Sequence, residues 1–255
     1  MITLCAISSG FPSLPLAASL MYVFNEATIA GRVVLFTLFL GSIFSWSVIF
    51  FKLRHLQVAK RQNAYFSTLF RRERAPLCLY KEKINFWDSP LFEVYEAGCT
   101  ELCFQLLGAT EVDETFQVRL ESARKISPAQ MRAVTAAMER AVGEAILKLE
   151  SLMIILSTAV SGAPFLGLLG TVWGVMDAFA GIAAAGNANL TAMAPGVAGA
   201  LITTVTGLLV AIPAMFGYNF LVVSIRSLMV QCENFSAELA SAMDHRYVNH
   251  GEMRR

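Results

Sequence analysis

The chain has 255 residues, 56% of them hydrophobic and only 15% charged, where soluble domains carry about a quarter charged residues. Twenty Lys and Arg against nineteen Asp and Glu leave a net charge of +1, which argues against nucleic acid or an acidic partner held by bulk charge. Five scattered cysteines and three histidines offer no convergent set of ligands, so no metal or other cofactor is expected, and no nucleophile–base pair marks an enzyme.

Residues 1–30 open the chain with an apolar stretch that contains Gly10, Pro12 and Pro15 and lacks a basic leader. A lipid-exposed helix broken in this way would leave backbone groups unpaired, so the stretch reads as an extracytoplasmic or interfacial segment, with Leu16 to Ala30 as an amphipathic helix. The alternative is a fourth span. Val33 to Phe51 then runs without a charge between Arg32 and Lys52, long enough at 1.5 Å per residue to cross a hydrocarbon core of about 30 Å. The expected first span is 31–51, and its helix should continue inward through Arg74.

Residues 52–150 read as a helical domain. Ser127-Pro128 has the form of an N-cap followed by proline at the first helical position. From there Met131, Val134, Met138, Val142, Ala145 and Leu149 recur at helical spacing. No glycine breaks this run from Pro128 through Ala141, and the helix is expected to continue into the second span without a loop, as one rod of more than 50 residues. Gly98 and Gly108 are expected to bracket a shorter helix, with 85–90 as its loop.

Leu152 to Val223 is apolar apart from Asp177. It divides at the turn-forming run Gly186-Asn187-Ala188-Asn189, and Pro195 is placed to restart a helix near its first turn. The expected second span is 151–185, the turn 186–194, the third span 195–223, and 224–255 a terminal helix and tail. Fifteen of the twenty basic residues lie between Lys52 and Glu150, and four more follow Val223. The positive-inside rule therefore predicts 52–150 and the C-terminus in the cytoplasm, with the N-terminus and the 186–194 turn outside. The fold class is an all-α integral membrane protein with three transmembrane helices, two of them extended into a cytoplasmic helical bundle.

Small residues recur every three or four positions in the second span (Gly167, Thr171, Gly174, Ala178, Gly181) and in the third (Gly199, Thr203, Gly207, Ala211, Ala214). Gly170 falls within the same stretch. Such stripes let transmembrane backbones approach closely. Thr171 and Thr204 fall in one layer, roughly 5–8 Å outside the midplane at 1.5 Å per residue. Pro164 and Pro213 share a layer just inside it, where each frees a carbonyl and permits a bend. No acid lies at mid-depth, although a proton path through hydrocarbon needs a protonatable group there. Such a chain either conducts nothing or borrows an acid from a partner.

The run Ala163-Pro164-Phe165-Leu166-Gly167-Leu168-Leu169-Gly170-Thr171-Val172-Trp173-Gly174-Val175-Met176 resembles the second-helix signature of the TolQ/ExbB family of proton channels. Ala194 to Thr204 and Gly207 to Asn219 resemble the third. The resemblance implies a homopentamer around the transmembrane helices of two single-span partners of the TolR/ExbD type, which supply the titrating aspartate. It also implies that the work is delivered to a TolA- or TonB-like protein. Thr171 and Thr204 match the family's pore threonines, with Thr203 adding a hydroxyl where alanine is more usual. Gly199 stands where the family commonly has glutamate, which removes any scaffold carboxylate from the expected path. The stretch from Glu233 to Arg246 is similar to the tail of the Tol branch. The bland alternatives are an ExbB-type subunit or a scaffold whose polar helix faces only pack.

Overall fold

In the computed structural model, the described residues are 29–72, 76–81, 86–109, 115–185 and 190–249. They form seven helices: α1 (Ile29–Arg72), α2 (Cys78–Lys81), α3 (Pro90–Leu107), α4 (Phe116–Ser122), α5 (Pro128–Glu150), α6 (Met153–Ala185) and α7 (Leu190–Tyr247). Three of them, α1, α6 and α7, are long and apolar enough to cross a membrane. Among the described residues no strand forms; one isolated bridge joins Ile126 to Val248. The chain is thus an all-α membrane protein with three transmembrane helices. The amphipathic helix expected over Leu16 to Ala30 lies outside the described residues, except that Ile29 and Ala30 open α1.

The chain divides into two compact units. The first comprises Met1–Trp46 and Ile155–Phe216. Its enclosed core is small: Val34 and Leu38 from α1, Ala163 from α6, and Val210 and Ala211 from α7, with Leu166 against them. Its outer surface carries large apolar side chains such as Phe165 at 71% exposure, with Phe36, Phe39, Phe179, Leu209 and Phe216. So many exposed aromatic and aliphatic groups exceed what water tolerates and suit lipid or a protein neighbour.

The second unit comprises Ser47–Ile154 and Gly217–Arg255 and has an ordinary water-soluble core. Phe66 of α1 is its centre, with ring centroids 5.3 Å from Phe86, 5.7 Å from Phe92, 5.4 Å from Tyr95 and 5.6 Å from Phe235. Edge-on geometry of this kind adds about 0.5–1.5 kcal/mol per pair to the burial itself. Around it pack the periodic residues of α5, Met131, Val134, Met138 and Val142, as their spacing predicts. The buried Asn63 accepts from Ser89 Oγ (2.8 Å) and from the Leu91 N–H (3.3 Å), which ties the start of α3 to α1. Tyr95 donates to the Pro76 carbonyl at 2.7 Å and accepts from the Tyr80 N–H at 2.9 Å.

Local chemistry sets several helix ends. Ser127 and Gln130 form a reciprocal capping box at the start of α5, with Pro128 at its first position. Ser89 caps α3, and Gly108 ends it in the left-handed region (φ 69°), its N–H bonded to the Phe104 carbonyl. Gly98, expected as a helix boundary, instead lies inside α3, where a Cβ would come 2.7 Å from the Met138 side chain of α5. Close packing, not helix termination, is what that glycine serves.

Two further expectations about helix length are corrected. α7 begins at Leu190, within the expected 186–194 turn, so Pro195 sits one turn inside the helix. It runs without interruption to Tyr247, so the third apolar stretch and the expected terminal helix form one element. The single rod through 128–185 is broken: α5 ends at Glu150, Ser151 is its C-cap, and Leu152 takes φ 67° before α6 starts at Met153. A left-handed leucine costs about 1–2 kcal/mol, so something must hold it.

Candidate functional site

The candidate site lies within the first unit, where α6 meets α7. Three small-residue contacts bring these helices together. A Cβ built on Gly167 would lie 2.8 Å from the Thr203 carbonyl oxygen and 2.9 Å from Thr204 Cα. One on Gly170 would lie 2.5 Å from Thr203 Oγ1, and one on Gly174 would lie 2.7 Å from the Ala200 Cβ. Gly207 closes the seam from the other side, its Cβ position 2.6 Å from the Ala163 carbonyl oxygen. Backbone meets backbone over this length because no side chain holds the helices apart.

The hydroxyls fall within the same seam. Thr203 is fully enclosed (0% exposed), with Oγ1 2.9 Å from the Gly167 carbonyl and 2.7 Å from the Ala200 carbonyl of its own helix. Thr204, one residue on, is only partly buried and donates to the same Gly167 carbonyl at 3.1 Å. Its Oγ1 stands 3.5 Å from Thr171 Oγ1. Thr171 in turn donates to the Leu168 carbonyl at 2.7 Å. Each hydroxyl has one proton and two acceptor lone pairs. With their protons turned onto carbonyls of this chain, Thr171 and Thr204 keep acceptor capacity for a donor from elsewhere.

The structure therefore brings Thr171 and Thr204 together and sets Thr203 apart, inside the helix contact. Of the expected packing residues, Gly167, Gly170, Gly174 and Gly207 sit in the seam, and Gly199 is buried. Among the described residues a Cβ on Gly181 would meet nothing within 4 Å, so that glycine lies outside the seam. Pro164 and Pro213 both lie inside uninterrupted helices. Ala163 and Ala200 carry close contacts that the small-residue pattern did not single out. Their signal was present, since Ala163 lies four residues from Gly167 and Ala200 three from Thr203, but alanine is too common in apolar helices for that to stand out. Among the described residues no group of three His, Cys, Asp or Glu side chains is disposed to hold a metal.

Helices of this length and apolarity, with a hydroxyl-bearing seam between two of them, define a multi-pass membrane protein built for close helix packing. The sequence profile of the MotA/TolQ/ExbB proton channel family matches residues 108–234. The Tol-Pal system protein TolQ of Pseudomonas aeruginosa is 33% identical over 204 residues, 79% of this chain and 82% of that protein. TolQ of Haemophilus influenzae is 33% identical over 221 residues, 87% of this chain and 92% of the relative. The biopolymer transport protein ExbB of Pseudomonas putida is 32% identical over 218 residues, 85% of this chain and 61% of the relative. The chain belongs to the MotA/TolQ/ExbB proton channel family, and with it to the multi-pass proteins of the inner membrane.

Proposed function

We propose that this chain is the channel-forming scaffold subunit of a Tol-type motor driven by the proton-motive force, and not an enzyme. In this reading five copies surround the transmembrane helices of two TolR/ExbD-type single-span partners, whose aspartate titrates, and the work passes to a TolA- or TonB-like protein crossing the periplasm. The Tol assignment draws support from coverage: the two TolQ relatives are matched over 82% and 92% of their length, against 61% for the ExbB of Pseudomonas putida. The N-terminus and residues 186–189 face the periplasm, and residues 52–150 with the C-terminus face the cytoplasm, on the distribution of basic residues.

The observation that carries the channel reading is the Thr171–Thr204 pair. Two partly accessible hydroxyl oxygens lie 3.5 Å apart on walls that hold no acid at that depth. Both protons are engaged by backbone carbonyls, so both oxygens are acceptors. They can accept a hydrogen bond from a neutral carboxylic acid, the form in which a partner aspartate would cross apolar surroundings, while the proton stays on the acid. The scaffold would guide the carboxyl, and the partner would carry the proton.

Thr204→Val keeps shape and removes the hydroxyl. An interhelical bond of this kind contributes only about 0.6–2 kcal/mol, so the variant should assemble normally. Proton flux through the purified complex and Tol-dependent outer-membrane integrity should be lost. Unchanged flux with unchanged assembly would favour a seam that only packs.

A further inference from the structure

The sequence from Lys148 to Met153, Lys-Leu-Glu-Ser-Leu-Met, contains no glycine or proline, yet the helix breaks there. In an unbroken helix the Lys148 carbonyl would accept from the Leu152 N–H and the Leu149 carbonyl from the Met153 N–H. Both carbonyls have another donor. Lys52 of α1 places its ammonium 3.4 Å from the Lys148 oxygen and 3.0 Å from the Leu149 oxygen, with Ser151 Oγ at 3.0 Å. Three donor protons meet three acceptors. Ser151 Oγ is itself 2.7 Å from the Lys148 carbonyl, and the Ser151 N–H still reaches the Leu147 carbonyl at 3.1 Å, which marks the last intact turn.

Lys52 does this while 1% exposed and, among the described residues, without a carboxylate partner. What compensates its charge is the carbonyl end of α5, where the helix dipole is negative. The nearest described acids face other groups: Glu93 pairs with Lys148 Nζ at 2.9 Å, and Asp88 stands 4.0 Å from the His55 ring, one turn beyond Lys52. A lysine closing an apolar run would ordinarily extend toward water. This one turns inward onto a helix end.

We propose that Lys52 is a positioning residue whose ammonium, and not the local sequence, keeps α5 and α6 as two helices joined at Ser151–Leu152. Without that donor the buried Leu149 carbonyl is left unpaired and the Lys148 carbonyl keeps only the Ser151 hydroxyl, and the nearest replacement donors are the Met153 and Leu152 N–H groups. The joint then closes into the single rod that the sequence alone expects. Because α6 begins at this joint and carries Thr171, the consequence for proton flux rests on the channel reading above; the conformational claim does not.

Hydrogen exchange of the full chain in detergent, followed by mass spectrometry on peptides covering 148–155, tests the joint directly. Lys52→Met should slow exchange at Leu152 and Met153 by about tenfold or more as they gain helical bonds, and Lys52→Arg should behave as the parent chain. Should the methionine variant not accumulate, Lys52→Gln is measured in its place. Unchanged or faster exchange in the uncharged variant would overturn the proposal, because the break would then be set locally. Proton flux per assembled complex is the second readout, expected to fall in Lys52→Met and to recover in Lys52→Arg. A closed joint with full flux would overturn only the positioning role in conduction.

Discussion

A methyl group at Gly207 would meet the Ala163 carbonyl oxygen at 2.6 Å and the Gly167 Cα at 3.2 Å, and both are backbone atoms with no rotamer to yield. Gly207→Ala should therefore push α6 and α7 apart and destabilise the chain by about 1–3 kcal/mol. Gly181 gives the matched control, since among the described residues nothing lies within 4 Å of its Cβ position. Gly181→Ala should be neutral or stabilising by up to about 1 kcal/mol, the difference in helix propensity. Thermal unfolding of the two variants in detergent separates them, and equal midpoints would mean the seam is looser than these distances indicate. The spacing of small residues was enough to locate this seam. It could not separate Thr203 from Thr204, because neighbours on a helix differ by about 100° in direction. Only the position of the facing helix puts one hydroxyl inside the contact and leaves the other partly open.

At the scale of the element, helix starts were legible where a side chain on the same helix makes the cap. Ser127, Pro128 and Gln130 announce α5 within four residues of sequence. The break after α5 was hidden, because the group that satisfies its last carbonyls is Lys52, some 97 residues away. The start of α7 at Leu190 was hidden for a related reason: Pro195 stands at the sixth position, beyond the first turn where a missing N–H costs nothing, so the proline pointed to a later start than the helix takes. The buried face of α3 supports a prediction of its own. Cys99 and Cys103 lie one turn apart with both side chains enclosed. Burial pushes the Cys99 thiol well up and the Cys103 thiol to about 12, from a starting value of 9.0. An acid whose pKa is higher in the folded state favours folding fully below its unfolded value and loses that contribution as pH rises towards its folded value. Stability should accordingly fall between about pH 9 and 12. A chain carrying Cys99→Ala and Cys103→Ala should show a flatter decline over that window in chemical denaturation. An identical slope would mean the thiolates are tolerated inside α3. At pH 8 an alkylating reagent should reach neither thiol until the chain is unfolded.

Over the whole molecule, charge is sorted by element more sharply than the net value of +1 suggests. α1 contains no acidic residue along its 44 positions, and its basic residues other than Arg32 all lie from Lys52 onward. α6 carries Asp177 as its only charged side chain, and the connection after it carries none. A membrane that retains lysine and arginine on its inner side therefore has one consistent way to hold this chain, with residues 52–150 inside. Helix length alone would allow either direction, so the orientation rests on charge and can be tested separately from the fold. In a chain freed of its native cysteines, Asn187→Cys should react with a membrane-impermeant maleimide on intact spheroplasts. Phe104→Cys, at a position 53% exposed on α3, should react only after the membrane is opened. The reverse pattern would invert the chain. It would also move the Thr171–Thr204 layer to the inner half of the membrane, where a carboxyl would reach it from the cytoplasm first, so the labelling result bears on the direction of proton entry as well as on topology.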